Sequence, residues 1–264
     1  MKMIDTHLHF YDGGFPPGAY EPLGPEQVIS VLERKGISGA WISSLSSMVG
    51  DPIAGNKKLY DFCKGHMDFF KPFYSFNPNY PLAKMKDEVR RCAEEYGARG
   101  FKIHSWLSGC SVSTGEMYEL SGICEQYGLP ILFHDGTPPY CDPLQIASLG
   151  KIHPDLKIIL GHAGLCDMHY SAKQAYRQNP NVYLCFCCTP LGDIEDFVRE
   201  FGSDRMFFGT DFYGIDEFKS YVPNMLDSVL ESSISEKDKE AIFSKNAEQF
   251  MADIENTRKF VPCR

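Results

Sequence analysis

The chain has 264 residues, of which 43% are hydrophobic and 23% charged, and its formal net charge is −9. That length suits a single α/β barrel of roughly 250 residues, and the apolar fraction is ample for its core. The acidic balance argues against nucleic acid or an anionic membrane surface, and no run is long and apolar enough for a transmembrane helix, so a small molecule is the expected partner.

The first apolar run, Met3–His9, contains Asp5-Thr6-His7-Leu8-His9. On a strand, residues two apart project from the same face, so His7 and His9 present two imidazoles together, half of a divalent-metal site. A strand that begins this early predicts no secretory leader. The segment Tyr11–Tyr20, rich in Gly and Pro, reads equally as a shaped loop over the mouth of whatever site the strand feeds or as an ordinary surface loop. A helix over Pro25–Lys35 follows, with proline suited to its first turn.

The same alternation then continues. Gly39–Ser44 precedes a helix near Asn56–Gly65, Phe69–Phe76 precedes Ala83–Tyr96, and Gly100–His104 precedes Gly115–Tyr127. Pro130–His134 leads to a short helix at Pro143–Leu149, and Lys157–His162 to Asp167–Arg177. Asn181–Cys188 leads to Gly192–Phe201, Met206–Asp211 to Asp216–Leu230, and a last helix lies near Ser235–Met251. Helices that run into glycine, as at Gly97, Gly128 and Gly202, carry good terminating chemistry.

Alternating β and α units with strands apolar on both faces predict a parallel sheet. Eight such units favour closure into a (β/α)8 TIM barrel, one domain over residues 1–264 with an extra C-terminal helix. The ten cysteines, without a leader, read as free thiols of a cytoplasmic protein. The Cys185-Phe186-Cys187-Cys188 cluster could bind a soft metal, but the run Val182–Cys188 also reads as a buried strand that uses cysteine as a small apolar residue, and that reading is preferred to copper or zinc storage.

In a barrel of this kind chemistry sits at the C-terminal mouth, where strand ends converge. His7 and His9 close strand one, His134 strand five, His162 strand six and Asp211 strand eight, which neighbours strand one. A metal with nitrogen ligands and an open position lowers the pKa of a bound water to about 7, and an adjacent carboxylate can pass its proton on. Asp5, on the same face as His7, is a candidate for orienting a ligand or for an ordinary strand-end contact.

The motifs Asp5-Thr6-His7-Leu8-His9, Leu132-Phe133-His134-Asp135-Gly136, Leu160-Gly161-His162-Ala163-Gly164 and Phe208-Gly209-Thr210-Asp211-Phe212 resemble, in order, those of the amidohydrolase superfamily. The nearest resemblance is to the amidohydrolase-related family 2 group of metal-dependent hydrolases and non-oxidative decarboxylases. It spans essentially the whole chain and includes Lys245-Asn246-Ala247-Glu248. The resemblance implies that His7, His9 and His134 ligate one divalent metal, with Asp211 as a further ligand or as the holder of the metal-bound water. It also implies that His162 lies beside that water as electrostatic partner and proton shuttle. Zn²⁺ is the default for such a donor set, and Mn²⁺, Fe²⁺ and Co²⁺ also fit.

In some superfamily members a carboxylated lysine on strand four bridges two metals. Here strand four reads Gly100-Phe101-Lys102-Ile103-His104, which resembles the mononuclear group and gives Lys102 and His104 a substrate-contacting role. Trp106 and Tyr213 join them among the mouth aromatics, with Phe10, Tyr11, Tyr140 and Phe212.

Arginine, the preferred partner of a carboxylate, falls on helices, below strands four and eight, or in the tail (Arg258, Arg264), which leaves Lys102, with Lys57 or Lys58 after strand two, as the cations near the site. That distribution favours hydrolysis of an amide, ester or lactone of a small, partly apolar substrate. The alternative is decarboxylation of a small aromatic or unsaturated carboxylic acid. A phosphate-binding barrel is disfavoured because Thr189-Pro190-Leu191-Gly192 and Tyr213-Gly214-Ile215 are poor phosphate cradles. A homodimer is expected from base rate alone.

Overall fold

The computed structural model describes residues 1–257 apart from 16, 19, 166 and 214–220, and leaves the side chains of 221–225 undescribed. Arg258, Arg264, Gly214, Ile215 and the first residues of the helix expected at 216–230 thus lie outside the described residues.

Eight parallel strands form one sheet in sequential order: β1 (Met3–Phe10), β2 (Ile37–Ser44), β3 (Phe70–Tyr74), β4 (Gly100–Ile103), β5 (Ile131–Phe133), β6 (Ile158–Leu160), β7 (Val182–Phe186) and β8 (Met206–Phe208). Helices lie between successive strands, as a (β/α)8 barrel requires. The last three-residue strands, Ile131–Phe133, Ile158–Leu160 and Met206–Phe208, are wholly apolar and buried, the pattern of strands covered on both faces.

Closure between β8 and β1 is made by residues just beyond β8. The backbone N–H of Asp211 donates to the His7 carbonyl and that of His9 to the Phe212 carbonyl, both at 2.8 Å. The barrel seam therefore runs through the residues singled out for chemistry.

The expected helices form with boundaries shifted by a few residues, for local reasons. The second begins at Pro52, earlier than expected, because Asp51 accepts the Ile53 N–H and Pro52 occupies the first turn. A short helix, Leu45–Val49, precedes it, capped by Ser44. The helix after β5 runs to Ile152 and is capped by Asp142, which accepts the Leu144 N–H at 2.7 Å. The single C-terminal helix expected at Ser235–Met251 is instead Glu236–Glu240, a π-turn over Ala241–Lys245, and Asn246–Thr257.

That last helix closes the bottom of the barrel. Phe250 packs against Trp41 of β2, Tyr183 of β7 and Phe207 of β8, with ring centroids 5.4, 4.7 and 5.2 Å away. The Asn246 side-chain amide donates to the carbonyls of Ser203 and Met206, both at 2.8 Å, and pins the helix to the start of β8. Among the described residues no helix is long and apolar enough to cross a membrane.

Candidate metal centre

β1 is extended and buried through its middle, so His7 and His9 fall on one face as period two dictates, and both are almost fully buried. Each ring is fixed by a partner on Nδ1. His7 Nδ1 lies 3.0 Å from the Gly161 carbonyl, which accepts its proton and makes Nε2 the lone-pair nitrogen. His9 Nδ1 lies 3.0 Å from the Ser43 hydroxyl of β2.

Asp211 completes the group. Its Oδ1 is 2.9 Å from His9 Nε2 and 3.6 Å from His7 Nε2. The residue has a φ of +56°, the left-handed region, which turns its carboxylate back over β1 just past the strand.

His162 follows β6, with Nδ1 3.1 Å from the Cys187 carbonyl. Its Nε2 is buried and has no hydrogen-bond partner. Asp135, beside His134, holds this turn in place by accepting the backbone N–H groups of His162 and Gly164, both at 2.6 Å. The His162 ring centroid lies 4.9 Å from that of His7 and 4.5 Å from that of His134.

His134 is the least committed member. Its ring stacks on His104 with centroids 3.7 Å apart, and its Nε2 is 2.9 Å from the Thr137 hydroxyl. The structure thus brings His7, His9 and Asp211 within ligating distance of one another, while His134 stands at the edge of that group with one nitrogen already engaged.

Burial pushes His7, His9 and His134 below the ordinary imidazole range, leaving them neutral, with lone pairs to offer. Burial alone would raise Asp211, but the hydrogen bond from His9 and the nearby His162 and Lys102 hold it down to about 2. Burial would likewise depress His162, yet contact with Cys188 and the charges of Asp211 and Asp135 lift it above the usual value.

Lys102 is wholly buried on β4, and its Nζ sits 2.8 Å from His7 Nε2, with burial lowering its pKa to about 8. His7 offers the same lone pair either to this amine or to a cation. The neutral imidazoles of His7 and His9 and the ionised carboxylate of Asp211, converging within 4.8 Å, are a donor set for a divalent cation, so these residues fit one.

Above the donors lies a cavity of about 380 Å³ lined by His9, Tyr11, Phe15, Tyr20, His104, Trp106, His134, Asp211 and Tyr213, with Leu45 and Leu107. Tyr213 stacks on His9 at 5.3 Å, and its hydroxyl is 3.4 Å from Asp211 Oδ2. Trp106 is more than half exposed at the rim. From the Tyr11–Tyr20 segment, Tyr11, Phe15 and Tyr20 line the cavity.

Other expected mouth residues are elsewhere. Phe212 is fully buried in the β8–β1 seam, Phe10 packs on Phe62, and Tyr140 does not line the cavity. Lys57 pairs with Asp61 and Lys58 with Asp12, so neither reaches the donors. β7 ends at Phe186 rather than at Cys188, because Cys188 turns into the left-handed region at φ +57°. Cys187 and Cys188 consequently leave the strand and border the site, while Cys185 stays in the core with its thiol on Thr6.

Asp5 acts on backbone rather than on a ligand ring. Its carboxylate accepts the N–H groups of His7 at 3.0 Å and Thr210 at 3.1 Å, and the Thr210 hydroxyl at 2.5 Å. Burial raises this carboxyl to about 7.

Ser43, Asp135, Thr210, Gly161 and Gly209 are supporting residues that sequence reasoning did not single out. The two glycines belong to the strand-six and strand-eight motifs, and space is the reason for them. A Cβ at Gly209 would lie 2.7 Å from both Cys185 Sγ and His7 Cβ, and one at Gly161 would lie 3.1 Å from His7 Cε1.

A family model described as Amidohydrolase matches residues 4–251. The chain belongs to the amidohydrolase family. Three solved structures carry the same fold at low identity. An uncharacterised TIM-barrel protein from Bordetella bronchiseptica is 20% identical, with a TM-score of 0.75 over 97% of this chain and 100% of that one. A dihydroxybenzoic acid decarboxylase from Polaromonas, with bound manganese and 2-nitroresorcinol, is 17% identical, with a TM-score of 0.73 over 95% and 97%. The 5-carboxyvanillate decarboxylase of Sphingomonas paucimobilis is 13% identical, with a TM-score of 0.74 over 95% and 99%. No curated protein gives a significant match.

Proposed function

We propose that this amidohydrolase-family chain is a metal-dependent, non-oxidative decarboxylase of a small aromatic or unsaturated carboxylic acid. The observation that carries the reading is the cavity itself: a slot walled by flat rings over the donors, with no arginine among its described lining residues. The expectation of hydrolysis rests on that missing arginine. The physical reasoning runs the other way. A carboxylate loses its charge as CO₂ leaves, so a guanidinium fork would stabilise the starting state more than the transition state and raise the barrier. The two named decarboxylases among the structural neighbours support the same reading.

His7, His9 and Asp211, with His134 as a further candidate, would hold one divalent cation, and Mn²⁺ and Zn²⁺ are both compatible with the set. When bound, that cation supplies positive charge that orients an anionic substrate oxygen and draws electrons toward it. The chain's own residues do the rest. Tyr213, Trp106 and the His104–His134 stack hold a planar acid and keep water out. The bond between the ring and the carboxylate breaks with its electron pair left on carbon, and CO₂ departs. His162, cationic more readily than an ordinary imidazole and with its Nε2 unpartnered, holds the proton that the carbon then takes. Lys102, at the buried floor, balances negative charge there.

The test is a panel of hydroxybenzoates and unsaturated acids set against esters, lactones and amides, using protein loaded with Mn²⁺. The expected result is CO₂ release with deuterium from D₂O appearing at the carbon that lost its carboxyl group. Hydrolysis of an ester or lactone with no CO₂ from any acid would sink the reading. Elemental analysis of the Mn²⁺-loaded protein should find about one equivalent of manganese, lost in a His7→Ala, His9→Ala double variant.

A further inference from the structure

Beside the His7–His9–Asp211 group lies a second cluster, two of whose members, Cys187 and Cys188, have no part in decarboxylation. Ligand atoms of His162, Cys187, Cys188 and Asp211 all lie within 4.8 Å of one another. Adjacent side chains on a strand point to opposite faces, so neighbouring cysteines ordinarily diverge. Here the strand has ended at Phe186, and the left-handed turn at Cys188 swings both thiols to the same side. Thr189 ties this turn to the His162 turn through its hydroxyl, 3.2 Å from the His162 carbonyl. The His162 ring is already held against the Cys188 side chain by a hydrogen bond, so imidazole and thiol meet without an ion.

We propose that Cys187, Cys188, His162 and Asp211 form a second, thiol-bearing cation site that shares Asp211 with the first and takes a thiophilic divalent ion such as Zn²⁺, switching the centre off when filled. Two sulfurs, one imidazole and one carboxylate are a tetrahedral set for a borderline-soft ion, whereas Mn²⁺ and Mg²⁺ prefer oxygen-rich octahedra. A tetrahedral zinc spaces its ligand atoms roughly 3.3–3.8 Å apart, somewhat closer than the 4.8 Å within which these atoms now lie. Binding of the ion itself is independent of the reaction. The switching-off rests on the decarboxylase reading, because a ligated His162 no longer carries a proton and Asp211 is drawn from the first cation.

The experiment titrates Cd²⁺, a thiophilic probe, into Mn²⁺-loaded protein and follows thiolate-to-cadmium absorption in the ultraviolet. Wild type should saturate near one equivalent, and Cys187→Ser and Cys188→Ser should each weaken binding by roughly tenfold or more. His9→Ala, which damages the first group but leaves the thiols, should keep the absorption, so failure of the thiol site and failure of the functional reading are separable. No absorption in folded wild type, or absorption undiminished in Cys188→Ser, overturns the proposal.

X-ray absorption on wild type carrying two equivalents of Zn²⁺ needs no variant. Sulfur scatterers at about 2.3 Å support the site, and nitrogen and oxygen neighbours alone refute it. Added Zn²⁺ should also inhibit Mn²⁺-loaded wild type more strongly than Cys188→Ser, and equal inhibition of both removes the switching role.

Discussion

The two ends of this barrel are built from the same strands and differ in almost every physical respect. At the bottom, Trp41, Phe73, Tyr183 and Phe207 interlock with Phe250 from the C-terminal helix, rings stacked or edge-on without a buried charge among them. At the mouth, a few residues further along, the strands end in His7, His9, His162, Lys102 and Asp211, all buried or nearly so. The backbone there departs from the ordinary as well, with Ala163, Leu165, Cys188 and Asp211 in left-handed conformations. The bottom is where burial is converted into stability, and the mouth is where some stability is given up to hold polar groups in poses they would not choose.

That division can be broken or sharpened by substitution, and the largest effect belongs to the mouth. Asp211→Asn keeps the shape but removes the charge that faces His9 and His7, and kcat should fall by about 10²–10⁴-fold. The denaturation midpoint should move little by comparison. Steady-state kinetics beside urea unfolding checks the pair, and an equal loss of stability would erase the division.

Phe250→Ala is the mirror test. It should cost about 3–5 kcal/mol in urea unfolding while metal content per folded molecule stays unchanged.

Gly209→Ala joins the two regions. The added methyl would meet Cys185 of the core and His7 of the site together, so both stability (about 1–3 kcal/mol) and metal affinity should drop. Calorimetric metal titration separates the two losses, and a variant with unaltered affinity would show that His7 tolerates displacement.

The smallest effect is at the mouth loop. There Asp12 accepts Lys58 Nζ and the Ser46 hydroxyl, both at 2.8 Å, and the Gly14 N–H at 3.0 Å. Burial opposes its ionisation, but these bonds outweigh it and hold the carboxyl below the usual range. Its contribution is therefore fully present above the ordinary carboxylate range and is lost as pH falls through the lowered folded value. Asp12→Asn should cost about 1 kcal/mol near neutral pH and progressively less toward about pH 3, as thermal melts across that range would register.

Much of the fold was legible because β and α units announce themselves locally. Apolar runs of three to eight residues, proline at helix starts and glycine at helix ends are read without knowing what lies across the molecule. Strand ends were less legible. The run Val182–Cys188 is uniformly apolar, and nothing in its composition says that the chain turns at Cys188 and delivers two thiols to the site. The same limit applies to Asp135 and Ser43. Each is one polar residue at a strand end, and its task, holding a turn or an imidazole, exists only once another strand is beside it.

By itself the sequence determined the repeat of eight units and the residue types at their C-terminal ends, because periodicity and side-chain chemistry are local properties. The tertiary structure alone decided which of those groups meet. It closed the seam through Asp211 and Phe212, set His7 against Gly161 and Gly209, turned His134 toward Thr137 and sank Lys102 beneath the donors. Those outcomes depend on distances between residues far apart in the chain, fixed by the packing of eight strands into one closed ring.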